Sequence, residues 1–135
     1  MSEVVLPRSL VNRLLAHAQQ SPEAEVCGLV GARDGEPVQV YPVPNAARDP
    51  ARLFVMEPSA QIRAMAAMRE RGETLFAIYH SHPHAPATPS ARDLAEAAYP
   101  EALYLIISLD TRGVLDMRGY RLRNGDVEPV PLVLS

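Results

Sequence analysis

The chain is predicted to fold as one α/β (α+β) domain spanning residues 1–135, built on a mixed β-sheet flanked by helices. Three observations predict this. Apolar runs of strand length alternate with helical patterns along the sequence, which is the order of a sheet covered by helices. The most apolar run, "ALYLIISL" (102–109), has the length and composition of a central strand. A chain of 135 residues with 47% hydrophobic and 21% charged residues can bury one core and leaves little room for long disorder.

The elements follow in order. Leu10, Val11, Leu14, Leu15 and Ala18 recur at helical spacing between Pro7 and Pro22, which predicts an amphipathic helix of about three turns. "EVCGLVGA" (25–32) reads as a buried strand, "RDGE" (33–36) as a turn, and "PVQVYPV" (37–43) as the hairpin partner. The proline-rich "PVPNAARDPAR" leads into an expected short strand at Leu53–Met56. A second helix is expected over 57–72, capped by Ser59, with Ile62, Met65 and Met68 along one side and Gly72 as its stop. "TLFAIYH" (74–80) is a strand that delivers histidines at its C-terminal end. A short helix begins near Ser90 and carries Leu94, Ala95 and Ala98. After the central strand, "VLDMRGYRL" and "DVEPVPLVL" supply two more strands around the turn "RNGD". No internal repeat, low-complexity segment or second domain is visible.

Composition excludes several classes of function. The net charge of −3 gives no general nucleic-acid footprint. All 13 basic residues are arginine, a bias that carries no functional reading. One cysteine, Cys27, excludes an internal disulfide framework and a Cys-rich zinc knuckle, and it fits a reducing compartment. The start "MSEVVLPRSL" lacks the basic and apolar regions of a signal peptide, and no run approaches the roughly 18 apolar residues of a membrane span. The cytoplasm is the expected location, with no membrane partner.

The chemistry concentrates in "IYHSHPHAPATPSARDLAEAA" (78–98), which holds three of the four histidines within five positions. On an extended strand end, His80 and His82 at i and i+2 point to the same side, so both imidazoles can meet one ion. A zinc site that does chemistry wants a third protein ligand and an open position. Asp93 can be that ligand if the proline-rich loop 83–89 folds back over the strand end. The same residues have structural explanations: "SARD" is close to a capping box, with Ser90 as N-cap and Asp93 in the first turn. Both roles can coexist. His84 reads as a loop residue and His17 as structural. Hydrolysis also needs a proton acceptor, and Glu25, opening an apolar strand, is out of place there unless paired or functional. Glu23, beside Pro22 in a solvated turn, stays a rival on spacing alone.

Glu25-Val26-Cys27-Gly28, then His80-Ser81-His82-Pro83, Ser90 and Asp93, with seven residues (83–89) between His82 and Ser90, resembles the JAMM (MPN-plus) metalloprotease family. The likeness extends to the leading helix, "NAARDPARLFVMEP" and "LYLIISL", and is greatest to the small stand-alone bacterial branch, whose members act on ubiquitin-like sulfur-carrier proteins. The resemblance implies that His80, His82 and Asp93 bind Zn²⁺. It implies that Glu25 takes a proton from the water at the metal and passes it to the leaving amine. Ser90 would donate a hydrogen bond to the oxyanion. It also implies a cytidine-deaminase-like JAMM/MPN core.

Fewer than ten residues separate Asp93 from the next strand, too few for the insertions with which eukaryotic members grip two ubiquitins. The implied partner is one small carrier whose flexible Gly-Gly tail enters a groove as an added strand. Cleavage would release an amino acid or free the carrier from a protein. The oligomeric state is left open, a homodimer included. A non-catalytic scaffold of the same fold is the alternative, set back by the presence of all five active-site positions. Other His-x-His enzymes fit worse. The metallo-β-lactamase pattern needs Asp and His where His84 and Ala85 stand, a zinc deaminase needs Pro-Cys-x-x-Cys where the chain has one cysteine, and a barrel amidohydrolase needs far more chain.

Overall fold

The computed structural model describes residues 3–135. Its elements run β1 (Val4–Leu6), α1 (Arg8–Gln19), β2 (Cys27–Arg33), β3 (Glu36–Val43), α2 (Pro58–Glu70), β4 (Thr74–His82), α3 (Ala91–Glu96), β5 (Leu103–Ser108), β6 (Asp116–Arg123), β7 (Asp126–Val130) and β8 (Leu132–Leu134). Six strands form one sheet in the order β3-β2-β4-β5-β6-β7. Only β4 and β5 run parallel in it, joined by the crossover that contains α3. The predicted mixed sheet flanked by helices is therefore the observed architecture.

Period-two alternation assigns the two faces. Ala77, Tyr79, Leu103, Leu105 and Ile107 pack with Leu10, Leu14 and Ala18 of α1. Ile78, Tyr104 and Ile106, their neighbours along the same strands, pack with Met68 of α2 on the other side. Every residue of β5 is buried, as a strand covered on both faces requires. Asp34-Gly35 and Asn124-Gly125 adopt positive φ (53° and 80°, 53° and 81°), the pattern of tight primed turns, and close the β2–β3 and β6–β7 hairpins.

Several expectations are corrected. Strand β1 was not anticipated: it pairs in parallel with β8, from the other end of the chain. The expected strand 126–134 divides at Pro131, which has no N–H to give a ladder, so β8 leaves the main sheet. Leu53–Met56 is not a strand; only a single bridge, Asn45 with Met56, remains there. Helix α2 is capped by Glu57 rather than Ser59. Its carboxylate accepts from the N–H groups of Ser59 (3.2 Å) and Ala60 (2.6 Å), with Pro58 in the first helical position. Of the three apolar residues expected along one side of α2, Met68 is buried and Ile62 is exposed. Helix α3 ends at Glu96, before Ala98. Strand β4 extends through His82, so both histidines lie within it. Among the described residues, no helix is long and apolar enough to cross a membrane.

Candidate metal centre

The histidines stand at the C-terminal end of β4, between β2 and β5. The strand alternation sends His80 and His82 to one face and Ser81 to the other. Ser81 is fully buried and accepts the N–H of Val26 at 2.9 Å, while its own N–H donates to the Val26 carbonyl at 3.0 Å. The strand end and the proline-rich loop beyond it are tied down by three bonds. Ser108 Oγ donates to the Ala85 carbonyl (2.7 Å), the Tyr120 hydroxyl to that of Ala87 (2.6 Å), and the Leu109 N–H to that of His82 (3.0 Å). These contacts turn the chain back so that α3 begins over the strand end. Its start is a capping box: Ser90 Oγ accepts the Asp93 N–H (3.0 Å) and Asp93 Oδ2 accepts the Ser90 N–H (2.9 Å).

Three side-chain atoms converge. His80 Nε2 lies 3.1 Å from His82 Nε2, and Asp93 Oδ2 lies 3.2 Å and 3.3 Å from them. A tetrahedral zinc with bonds of about 2.0–2.1 Å places neighbouring ligand atoms about 3.3 Å apart, so the triangle has the size of one face of that tetrahedron. His82 Nδ1 lies 2.8 Å from the Pro86 carbonyl, which it can contact only as a donor, leaving the Nε2 lone pair facing the centre. The ring of Phe54 stacks on His80 at 4.5 Å, and His80 Nδ1 is buried without a hydrogen-bond partner among the described residues. A lone pair, a second imidazole nitrogen and a carboxylate oxygen at such distances form a donor set that one divalent cation fits.

The electrostatics separate the two nearby carboxylates. Burial alone would push Asp93 up, but hydrogen bonds and charge from His80 and His82, with the Ser90 N–H, hold it well below the usual carboxylate range. Burial keeps His80 below the ordinary imidazole value despite Asp93. In His82 burial is outweighed by Asp93, the Pro86 carbonyl and Glu25, and its value rises. Glu25 is pushed up to about 7 by burial, with His82 opposing and Asp93 adding. Glu25 is 5% exposed, its Oε1 has no partner among the described residues, and it offers an oxygen within 4.8 Å of both imidazoles. Asp93 is nearer and held ionised, which suits a ligand; Glu25 titrates near neutrality, which suits a proton carrier. Glu23 lies outside this group, exposed and 3.4 Å from His84 in the solvated turn. His17 serves the fold, its Nδ1 2.7 Å from the Tyr79 hydroxyl.

Two clefts flank the centre, and both include Arg52 and Ser90. One, of about 480 Å³, contains Glu25, His82 and Ala85. The other is a slot of about 40 Å³ walled by Leu53, Phe54, Ala97 and Tyr104. The arrangement offers a cation site, a proton acceptor and a hydroxyl at the junction of two binding spaces. All five residues singled out in the sequence meet here. Phe54, Ser81 and Asn45 were missed. The "NAARDP" turn carried a signal for Asn45, whose Oδ1 accepts the Ala47 N–H two residues on (2.9 Å), whereas Phe54 had no local signature.

Residues 7–122 match the family described as prokaryotic homologs of the JAB domain (Prok-JAB). The chain is 33% identical over 134 residues to the CysO-cysteine peptidase of Mycobacterium tuberculosis (strain ATCC 25618 / H37Rv), covering 96% of this chain and 91% of that protein. It is 38% identical over 106 residues to a probable TtuB-protein conjugate cleaving protease of Thermus thermophilus, covering 78% and 70%. Protein DSY2949 of Desulfitobacterium hafniense has a solution structure that matches with a TM-score of 0.85 and 35% identity, over 97% of this chain and 92% of that one. AF2198, a JAB1/MPN domain protein of Archaeoglobus fulgidus, shares the fold at a TM-score of 0.64 and 19% identity, over 96% and 99%.

Proposed function

The chain belongs to the Prok-JAB family of JAB-domain homologs, and on that premise we propose that residues 1–135 act as one zinc-dependent peptidase domain. The substrate in this reading is a ubiquitin-like sulfur-carrier protein. The amide bond after its C-terminal Gly-Gly is hydrolysed, and an amino acid or a protein is released. Relatives named a CysO-cysteine peptidase and a TtuB-protein conjugate cleaving protease support that substrate class. A cytoplasmic location accords with the buried free thiol of Cys27.

The observation that carries the reading is the convergence of His80 Nε2, His82 Nε2 and Asp93 Oδ2 within 3.3 Å of one another, beside the buried carboxylate of Glu25, whose Oε1 has no partner among the described residues. When bound, a zinc ion supplies Lewis acidity that polarises a carbonyl and brings the pKa of water towards 7. Glu25 accepts the proton of the attacking water on its carboxylate and delivers it to the leaving amine, a role that a value of about 7 favours. Ser90 Oγ accepts from the Asp93 N–H, so its own O–H is left to donate to the developing oxyanion. Because Glu25 protonates the leaving amine, the released part lies in the wider cleft on the Glu25 side. The tail then lies on the side of the narrower slot walled by Leu53, Phe54, Ala97 and Tyr104, where little room is left for side chains, as a Gly-Gly tail allows.

The test uses a carrier protein ending in Gly-Gly and joined to cysteine. Protein purified without added metal should hold about one zinc per chain and release cysteine. Glu25→Gln should keep the zinc and lose turnover by about 10²–10⁴; His82→Ala should lose the zinc itself. Near-normal turnover in Glu25→Gln overturns the proton-carrier assignment. A wild-type chain that holds no zinc favours the scaffold reading.

A further inference from the structure

We propose that Asn45 is a positioning residue for Glu25, acting on the main chain that carries the carboxylate; this rests on the peptidase reading. Two features of Glu25 pose the problem it solves. Its Oε1 is buried and no described group donates to it, so no hydrogen bond at that oxygen sets the side chain's place. The ladder of β2 begins at Cys27, so no strand pairing fixes the backbone of Glu25 either. A proton carrier must nevertheless stand within hydrogen-bond reach of its donor, and a misplacement of about 1 Å can cost on the order of 10² in rate.

The loop between β3 and α2 supplies what the ladder does not. The Glu25 N–H donates to the Pro50 carbonyl at 2.7 Å, and the Glu25 carbonyl accepts from Asn45 Nδ2 at 3.0 Å. Asn45 also builds the loop that holds Pro50. Its Nδ2 donates to the Leu53 carbonyl (3.1 Å), and its Oδ1 accepts from the N–H groups of Ala47 (2.9 Å) and Val55 (3.1 Å). These four bonds use both donors and both acceptor sites of one amide. Aspartate cannot make the two donations, and glutamine is longer by a methylene. On the far side, Val26 is locked to Ser81, the residue between the two histidines, by a reciprocal pair of 2.9 Å and 3.0 Å. Glu25 thus hangs in a frame with one post on Asn45 and the other on the histidine strand, and its carboxylate is aimed by that frame.

Asn45→Asp separates the parts, because it keeps the acceptor for Ala47 and Val55 and removes both donations. The expected result with the carrier–cysteine substrate is a kcat lower by about 10–100-fold, a smaller change in KM, and zinc content equal to wild type. In a Glu25→Ala background the same substitution should lower the residual rate less than about twofold, since a residue that works through Glu25 has nothing left to aim. A purely architectural role would give the same loss in both backgrounds, and that result, or an unchanged kcat in Asn45→Asp, overturns the inference. Amide hydrogen exchange should accelerate at Glu25 in Asn45→Asp while β5 stays protected; an unchanged rate at Glu25 overturns the clamp whether or not the chain is a peptidase. No turnover by zinc-loaded wild type overturns the peptidase reading, leaving the exchange measurement to decide the clamp. If Asn45→Asp does not fold, Asn45→Ser removes the bonds without setting a carboxylate against two carbonyls, and carries the same comparison.

Discussion

Ser90 stands where α3 begins and where the two clefts meet. Its Oγ accepts the Asp93 N–H at 3.0 Å and so starts α3, while its O–H remains available at the junction of both clefts. The cap also orients Asp93, whose Oδ2 accepts the Ser90 N–H and faces both imidazoles. Ser90→Ala should therefore lose about 10²–10³ in turnover and about 1 kcal/mol of stability together. Ser90→Asp retains an N-cap acceptor but has no O–H, and should recover stability in urea unfolding without recovering turnover. Wild-type turnover in either variant would remove the donor role. His80, His82, Ser90 and Asp93 could be singled out because their spacing is carried along the chain: histidines two apart on a strand end, and a capping box after a proline loop; spacing alone barely separated Glu25 from Glu23. Asn45 and Phe54 act across folded distances, and their neighbours in sequence say nothing about Glu25 or His80.

Among the elements, β4 carries the centre and β2 sets where it lies. Cys27 stands opposite His80 and Gly28 opposite Tyr79 in the β2–β4 register. A Cβ on Gly28 would come within 2.5 Å of the Tyr79 hydroxyl and 2.6 Å of the Tyr41 carbonyl. Tyr79 is fully buried and its hydroxyl is tied to His17, and the Tyr41 carbonyl is backbone, so neither can retreat cheaply. Gly28→Ala should force β2 and β4 apart, costing about 1–3 kcal/mol and weakening zinc retention because His80 moves with its strand. Unchanged stability and zinc content would show that the strands do not need this close approach. The central strand and both hairpins were readable because a continuous apolar run and Asp-Gly or Asn-Gly turns are local signals. The cap of α2 was misread because Ser59 satisfied the usual residue preference, while the carboxylate of Glu57 was already in place to accept two N–H groups.

For the whole molecule, the ends of the chain complete the fold without touching the chemistry. Val4–Leu6 pairs in parallel with Leu132–Leu134, a contact that spans nearly the entire sequence and could not be read from three-residue segments with no periodicity of their own. Leu6 is fully buried and packs into the core shared with α1, whereas no residue of β1 or β8 lines either cleft beside the centre. Leu6→Ala leaves a cavity under α1, for which a loss of about 2–5 kcal/mol is expected, lowering the thermal midpoint by roughly 10 °C. Far below that midpoint the folded molecules should keep the wild-type kcat, KM and zinc content. Asn45→Asp is expected to show the reverse, a loss of kcat out of proportion to its loss of stability. If Leu6→Ala lowered kcat in fully folded protein, the closing strands would have to be counted among the supports of the centre, and the site could no longer be treated as held by β2, β4, α3 and the loop from Asn45 alone.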